Sequence, residues 1–240
     1  MSETEAPNVV APRTHRKGLG NEKRGRILTA QQVASARKRV IEATEALKEE
    51  KFNARRLELA EAALETLGEL GYARTSLREI AQKSPFTHGV FHYYFSDKTD
   101  LICCCVRHYK AKCVTRYDDV ASLARSREEL MEGFVAKLGE TLRDEARMHR
   151  LWYDLRAQAL FEEAFRNDVV EIDKSLERMI WRIVSRYAEL GGTRPTLSSN
   201  VLYALFDGLF QSALLKHLSG DKGAIGELLE EAKRLLPSVC

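Results

Sequence analysis

From about residue 29 to the C-terminus, hydrophobic positions recur every three or four residues, and no stretch alternates as a strand would. Residues 29–50 are rich in helix formers, with Val33, Val40, Ile41, Ala43 and Leu47 as a thin apolar stripe. This helix either breaks near Phe52 and Asn53 or runs on into the next. Residues 53–70 place Leu57, Ala60, Leu64 and Leu67 on one face and Glu58, Glu61 and Glu65 on the other. Further on, Leu130, Phe134, Leu138 and Leu142 are spaced i, i+4 within 126–143, and residues 145–165 gather Trp152, Tyr153, Phe161 and Phe165. Residues 168–190 carry Ile172, Leu176, Met179, Ile180, Ile183, Tyr187 and Leu190 on one stripe, which Gly191 and Gly192 end. Pro195 marks the start of a helix that reaches Leu218 and is apolar on most sides, implying burial on two fronts. A last helix over 221–236 sets Ile225, Leu228, Leu229, Ala232, Leu235 and Leu236 against Glu227, Glu230, Glu231 and Lys233. The pattern predicts an all-α protein.

Residues 71–101 hold a denser code. Gly71 can close the preceding helix in a left-handed cap. Ser76 with Glu79 forms a capping box, after which Leu77, Ile80 and Ala81 face inward while Arg78, Gln82 and Lys83 face out. Pro85 stops that helix, because proline lacks an amide donor and restricts the residue before it. Thr87 can cap a second helix, with Val90 or Phe91 and then Tyr94 or Phe95 turned inward. Asp97 with Asp100 opens a third, which continues to about Asp118. Two short helices joined by a tight turn form a helix-turn-helix, whose second helix enters the DNA major groove. Its first residues, Thr87, His88, Gly89 and Val90, would meet base edges, with Gly89 allowing close backbone approach. Arg78 stands exposed on the helix that crosses the phosphate backbone.

The run Gly-Tyr-Ala-Arg-Thr-Ser-Leu-Arg-Glu-Ile-Ala at 71–81, followed by Thr-His-Gly-Val-Phe-His-Tyr-Tyr-Phe-Ser-Asp-Lys-Thr-Asp-Leu at 87–101, resembles the DNA-binding domain of the TetR family of transcriptional regulators. The likeness covers about residues 54–101. By that resemblance His92 and Tyr93 occupy the phosphate-contacting aromatic positions, Lys98 the lysine opening the next helix, and Thr75 or Ser76 the phosphate contact of the preceding helix. The chain departs from the family pattern at Ser84, Pro85 and Phe86, where Ala-Gly-Val is usual, at His88 for lysine, and at His92 for tyrosine.

Charge sharpens this picture. The net charge is +3, but residues 1–56 hold 13 Lys/Arg against 7 Asp/Glu, so the basic excess sits beside the helix-turn-helix. Residues 1–28 lack apolar periodicity and are expected to be a disordered basic arm. No apolar run is long enough for a membrane span and no secretory signal is evident, so a cytoplasmic protein with no membrane partner is expected. Cys103, Cys104 and Cys105 are neighbours on a helix and diverge by about 100° each, so they cannot close on one ion. They read as small packing residues, with redox sensing by an exposed thiol as the alternative. No catalytic constellation, metal motif or cofactor loop is present, and no cofactor is expected.

In the C-terminal helices His149, Trp152, Tyr153, Arg156, Phe206, Phe210 and Gln211 mix aromatic surface with a few polar groups, as a ligand pocket does and as ordinary amphipathic helices also do. Arg156 would select an anion if it points inward and is a surface charge if it does not. The expected organisation is an arm at 1–28, an extra helix at 29–52, the helix-turn-helix domain at 53–101, and a helical ligand-binding and dimerisation domain at 102–240. The resemblance implies a homodimeric repressor, not an enzyme, bound to double-stranded operator DNA and released by a small-molecule effector that shifts the helix at 97–118. A redox-responsive regulator and a helical enzyme with an incidental helix-turn-helix are the competing readings.

Overall fold

The helix that begins the described chain does not break at Phe52 or Asn53: α1 runs over Ala30–Leu70 without interruption. A computed structural model describes residues 30–240, so the expected arm at 1–28 lies outside the described residues. The chain divides into two units, residues 1–47 and 48–240. In the first, the described part of α1 is solvated; Val40, Ile41 and Leu47 stay exposed, and Lys38 pairs with Glu42 one turn on. That apolar stripe has no core of its own.

The second unit holds the remaining elements. After α1 come α2 (Leu77–Gln82), α3 (His88–Tyr94), α4 (Lys98–Thr115), α5 (Asp118–Leu123), α6 (Arg127–Gln158), α7 (Arg166–Leu190), α8 (Ser199–Leu218) and α9 (Ala224–Ser238), with no strand among the described residues. The buried stripe of α1 is Leu59, Ala60, Ala63 and Leu67, one step round the helix from the expected face, and Leu57 is exposed. Against it pack Leu77 and Ile80 of α2, Phe91 of α3, Phe95, and Leu101 and Ile102 of α4, so the helix-turn-helix closes over the end of α1. Truncating a buried aromatic such as Phe91 would cost about 3–5 kcal/mol.

The local signals act as their chemistry requires. Gly71 has φ +75°, and its N–H donates to Leu67 O at 2.8 Å, ending α1 in a left-handed cap. Ser76 accepts from Glu79 N while Glu79 Oε2 accepts from Ser76 N at 2.7 Å, a complete capping box. Asp97 Oδ1 accepts from Asp100 N at 2.8 Å and starts α4. Thr87 stands at the start of α3 but its hydroxyl makes no capping bond.

Four boundaries differ from the sequence pattern. α4 ends at Thr115 rather than near 118, and the short α5 follows it. The segments at 126–143 and 145–165 join into one helix, α6, bent at Glu145 (φ −124°, ψ 19°), and a 3₁₀ turn, Glu163–Phe165, follows its end. Glu145 is neither glycine nor proline; its carboxylate is drawn to Tyr109 on α4 and to Arg116 just past its end, which supply the local pull. α8 starts at Ser199, four residues after Pro195, because Thr196 N is held by Val239 O at 2.9 Å beneath α9. A Cβ at Gly191 would lie 1.9 Å from Arg127 Cζ, so a side chain there would displace the guanidinium that bonds Tyr187 O and Thr193.

Helices α6, α7, α8 and α9 pack around one core that continues into the helix-turn-helix without a linker. Leu130, Phe134, Leu138 and Leu142 are all buried, as are Ile172, Leu176, Ile180, Ile183 and Tyr187 on α7. α8 buries Leu202, Tyr203, Phe206, Phe210, Ala213 and Leu214, yet leaves Val201, Leu205, Leu215 and Leu218 exposed. No described helix is long and apolar enough to cross a membrane.

Candidate functional site: an exposed helix face and an interior cavity

The outer face of α3 is open. Thr87, His88, Gly89, His92 and Tyr93 are exposed, Tyr93 to 73%, and Val90 is half-buried. His88 and His92 stack edge to face, their Nε2 atoms 3.1 Å apart, so one imidazole donates to the other. Tyr93 packs on Phe52 and Tyr94, which holds its ring outward. A Cβ at Gly89 would touch nothing within 4 Å; packing therefore does not demand glycine there, and the small residue keeps the surface low. Arg78 is exposed on α2 and pairs with no carboxylate among the described residues. The exposed face of α3 thus carries hydroxyl and ring donors, and α2 an exposed guanidinium.

Two of the expected contacts are committed inward. Thr75 is buried, with Oγ1 donating to Gly71 O at 2.6 Å, which leaves Ser76 as the exposed hydroxyl at the start of α2. Lys98 is half-buried: Nζ donates to Tyr72 O at 3.0 Å and lies 4.1 Å from the Tyr72 ring centre. Arg56 of α1, unremarked in the sequence, pins the layer by pairing with Asp100 and donating to Tyr94 O. Burial pushes the Asp100 carboxyl up, but bonds from Arg56 and Ser96 outweigh it and hold the carboxyl low.

Tyr72 joins this layer to α6. Its N–H donates to Asp154 Oδ2 at 2.9 Å, its hydroxyl donates to Glu162, and its ring meets Phe165 edge-on at 5.2 Å. Arg150, also on α6, donates to Gly68 O and Glu69 O at the end of α1.

The same helix lines a cavity. His149, Trp152 and Tyr153 of α6, with Phe206 and Phe210 of α8, surround an empty volume of about 570 Å³, part of it open to solvent. Phe134 crosses Phe206 edge-on at 5.7 Å, and His149 stacks on Phe210 at 4.8 Å. Five of the seven expected ligand residues thus meet here. Gln211 does not: it lies in a surface groove with Arg150, Asp154 and Ser212. Arg156 neither enters the cavity nor stands free; it bridges Asp207 of α8 and Asp173 of α7, whose second oxygens accept from Tyr153 and Tyr203.

Sequence reasoning passed over Lys110 of α4 and Arg116 at its end, which also line this space with Cys113, because a lysine on an amphipathic helix reads as surface. Lys110 is 3% exposed, and burial lowers its pKa from 10.5 to about 8. Arg116 pairs with Glu145 and donates to Thr141 at 2.7 Å. Burial raises the Glu145 carboxyl, but the bonds from Arg116 and Tyr109 prevail and keep it below the usual value. His149 is held neutral by burial and by the Lys110 and Arg116 charges.

Cys103, Cys104 and Cys105 are all buried, and burial, the largest cause at each, raises their pKa. They lack the exposed, stabilised thiolate that redox sensing needs. Cys113, Glu145 and His149 place ligand atoms within 4.8 Å of one another. Two cations already occupy that neighbourhood, Arg116 on Glu145 and Lys110 on His149, which opposes a metal ion there.

Residues 59–102 match the sequence profile described as bacterial regulatory proteins, tetR family. No curated protein gives a match. Several solved structures share the fold. A transcriptional regulator FadR from Bacillus subtilis, solved in complex with stearoyl-CoA, is 17% identical, with a TM-score of 0.62 over 76% of this chain and 97% of that one. A TetR transcription regulator from Haloarcula marismortui is 17% identical, with a TM-score of 0.63 over 78% and 98%. A regulator from Saccharomonospora viridis, in complex with choline, is 17% identical, with a TM-score of 0.61 over 77% and 96%. The helix-turn-helix segment at 59–102 thus matches the tetR family of regulatory proteins in sequence, and the helical architecture matches solved regulators of that kind in space.

Proposed function

We propose that this protein is a ligand-responsive transcriptional regulator, a homodimer that binds operator DNA through α3 and is released by a small molecule in the α6–α8 cavity. The observation that carries the reading is on α6, where His149, Trp152 and Tyr153 face the cavity while Arg150 and Asp154 hold the ends of α1 and the turn before α2. A ligand that displaces this helix cannot leave the helix-turn-helix unmoved. Two half-sites on DNA demand a fixed spacing between recognition helices, so a small rotation in each subunit abolishes the match.

On this reading Thr87, His88, Gly89 and Val90 meet base edges, and Ser76, Arg78, His92 and Tyr93 contact phosphate. The basic arm at 1–28 adds salt-dependent affinity. The exposed leucines of α8 are the dimer contact. Neighbours solved with stearoyl-CoA and with choline support an effector role for a cavity in this fold. The test is fluorescence anisotropy with DNA from upstream of the gene. Saturable binding that a cavity ligand reverses is expected, and binding that no cavity substitution or ligand alters would overturn the proposal.

A further inference from the structure

The charges around the cavity are paired, with one exception. Arg116 has Glu145, and Arg156 has Asp207 and Asp173. Lys110 has no carboxylate within ion-pair distance among the described residues. Its Nζ lies 3.4 Å from His149 Nδ1, and 5.1 Å from the centre of the Trp152 ring. Two further polar atoms are buried with no partner, His149 Nε2 and Trp152 Nε1. The lysine contact fixes their character. An ammonium can only donate, so His149 Nδ1 accepts, and the proton of the neutral ring sits on Nε2. Trp152 Nε1 is a donor only. Lys110 therefore lies on one side of the His149 ring with no countercharge, while the unpaired Nε2–H leaves from the other side.

We infer that the cavity takes a small organic monoanion, whose carboxylate-like head accepts from Lys110 and whose apolar body lies against Phe134, Phe206 and Phe210. Such a head supplies the countercharge that Lys110 lacks, which a neutral or cationic ligand cannot do. The alternative of a cation held by Cys113, Glu145 and His149 would place positive charge beside Lys110 and Arg116. The inference rests on the reading of this cavity as the effector site.

The test uses the full chain and calorimetric titration with two isosteric series: octanoate, octanol and octylamine; and 4-phenylbutyrate, 4-phenylbutanol and 4-phenylbutylamine. In each, the carboxylate is expected to bind at least about tenfold more tightly than the alcohol, the order of one charge-assisted hydrogen bond, with the amine weakest. Lys110→Met should bring the carboxylate down to the alcohol and leave the alcohol's affinity within about twofold. Because the wild-type series decides the question, a variant that fails to fold costs nothing. If alcohols or amines bind as tightly as the acids, the anion inference falls while the cavity reading stands. If no member of either series binds, both fall.

Discussion

Asp154 Oδ2 accepts the backbone N–H of Tyr72 at 2.9 Å, a bond between the helix that lines the cavity and the turn that launches the helix-turn-helix. It is reinforced on both sides. Lys98 at the start of α4 lies over the Tyr72 ring, and Phe165 meets that ring edge-on. On the proposed reading, movement of α6 by a bound ligand would reach α4 and the recognition layer through Tyr72, alongside the Arg150 bonds to Gly68 O and Glu69 O.

Asp154→Ala is expected to leave the N–H of Tyr72 without its acceptor, at about 1–3 kcal/mol of stability, and to loosen the coupling between sites. Operator affinity should survive in the unliganded protein, while a cavity ligand that releases wild type from DNA should release the variant several-fold less well. Anisotropy titrations with and without ligand measure both. Full retention of ligand response in Asp154→Ala would exclude this route.

Arg78 and Lys98 should separate in a salt titration. Arg78→Ala removes an exposed, unpaired cation and is expected to lower the slope of log affinity against log salt by about one. Lys98→Ala is expected to leave that slope nearly unchanged and to destabilise the fold instead, since its ammonium is already bonded to Tyr72 O. Equal slope changes would show that Lys98 leaves Tyr72 for phosphate when DNA binds.

Lys110 governs a pH dependence whose sign is opposite to that of a salt-bridged lysine. Its folded pKa, about 8, lies below the usual 10.5 of a lysine, because burial outweighs the attraction of Cys113, Asp207 and Glu145 and adds to repulsion from Arg116. Below pH 8 both states carry the proton and the buried charge costs its full amount, about 3 kcal/mol. From about pH 8 to 10.5 the unfolded chain binds more protons, so this contribution to stability rises with pH. Lys110→Met should accordingly be more stable than wild type at pH 7 by about 1–3 kcal/mol, allowing for the partner lost by His149 Nδ1, with the gap narrowing by pH 10. Denaturant unfolding at the two pH values decides it, and a variant less stable at pH 7 contradicts the assignment.

On α8 neighbouring residues should give opposite phenotypes. Leu205 is 40% exposed, so Leu205→Glu is expected to yield a folded monomer in light scattering, since a charge buried in the subunit contact costs several kcal/mol. Phe206 is buried in the core, and Phe206→Ala should cost about 3–5 kcal/mol of stability without changing assembly. A dimeric Leu205→Glu protein would move the interface elsewhere.

What local chemistry could decide, the chain alone determined: an all-α protein, the capping box at Ser76 and Glu79, the left-handed glycine at 71, and the buried stripes of α6 and α7. Such signals span a few residues, so they can be read without knowing what lies opposite. The aromatic residues at 149–153 and 206–210 were also legible as candidate pocket walls, because flat apolar side chains beside polar groups stand out in composition. Everything that depended on a partner distant in sequence waited for the tertiary structure. The fusion and bending of α6 at Glu145 depends on Tyr109 of α4 and Arg116 beyond its end, the delayed start of α8 on Val239, and the inward engagement of Lys98 on Tyr72. Arg156 shows the limit most clearly: inward or outward were the two options its helix offered, and two aspartates from α7 and α8 supplied a third. Lys110 shows the converse, since an ordinary amphipathic position becomes a buried charge only when α6 and α8 close over α4. Charges are read from sequence, but the dielectric around them is set by what the fold packs against them.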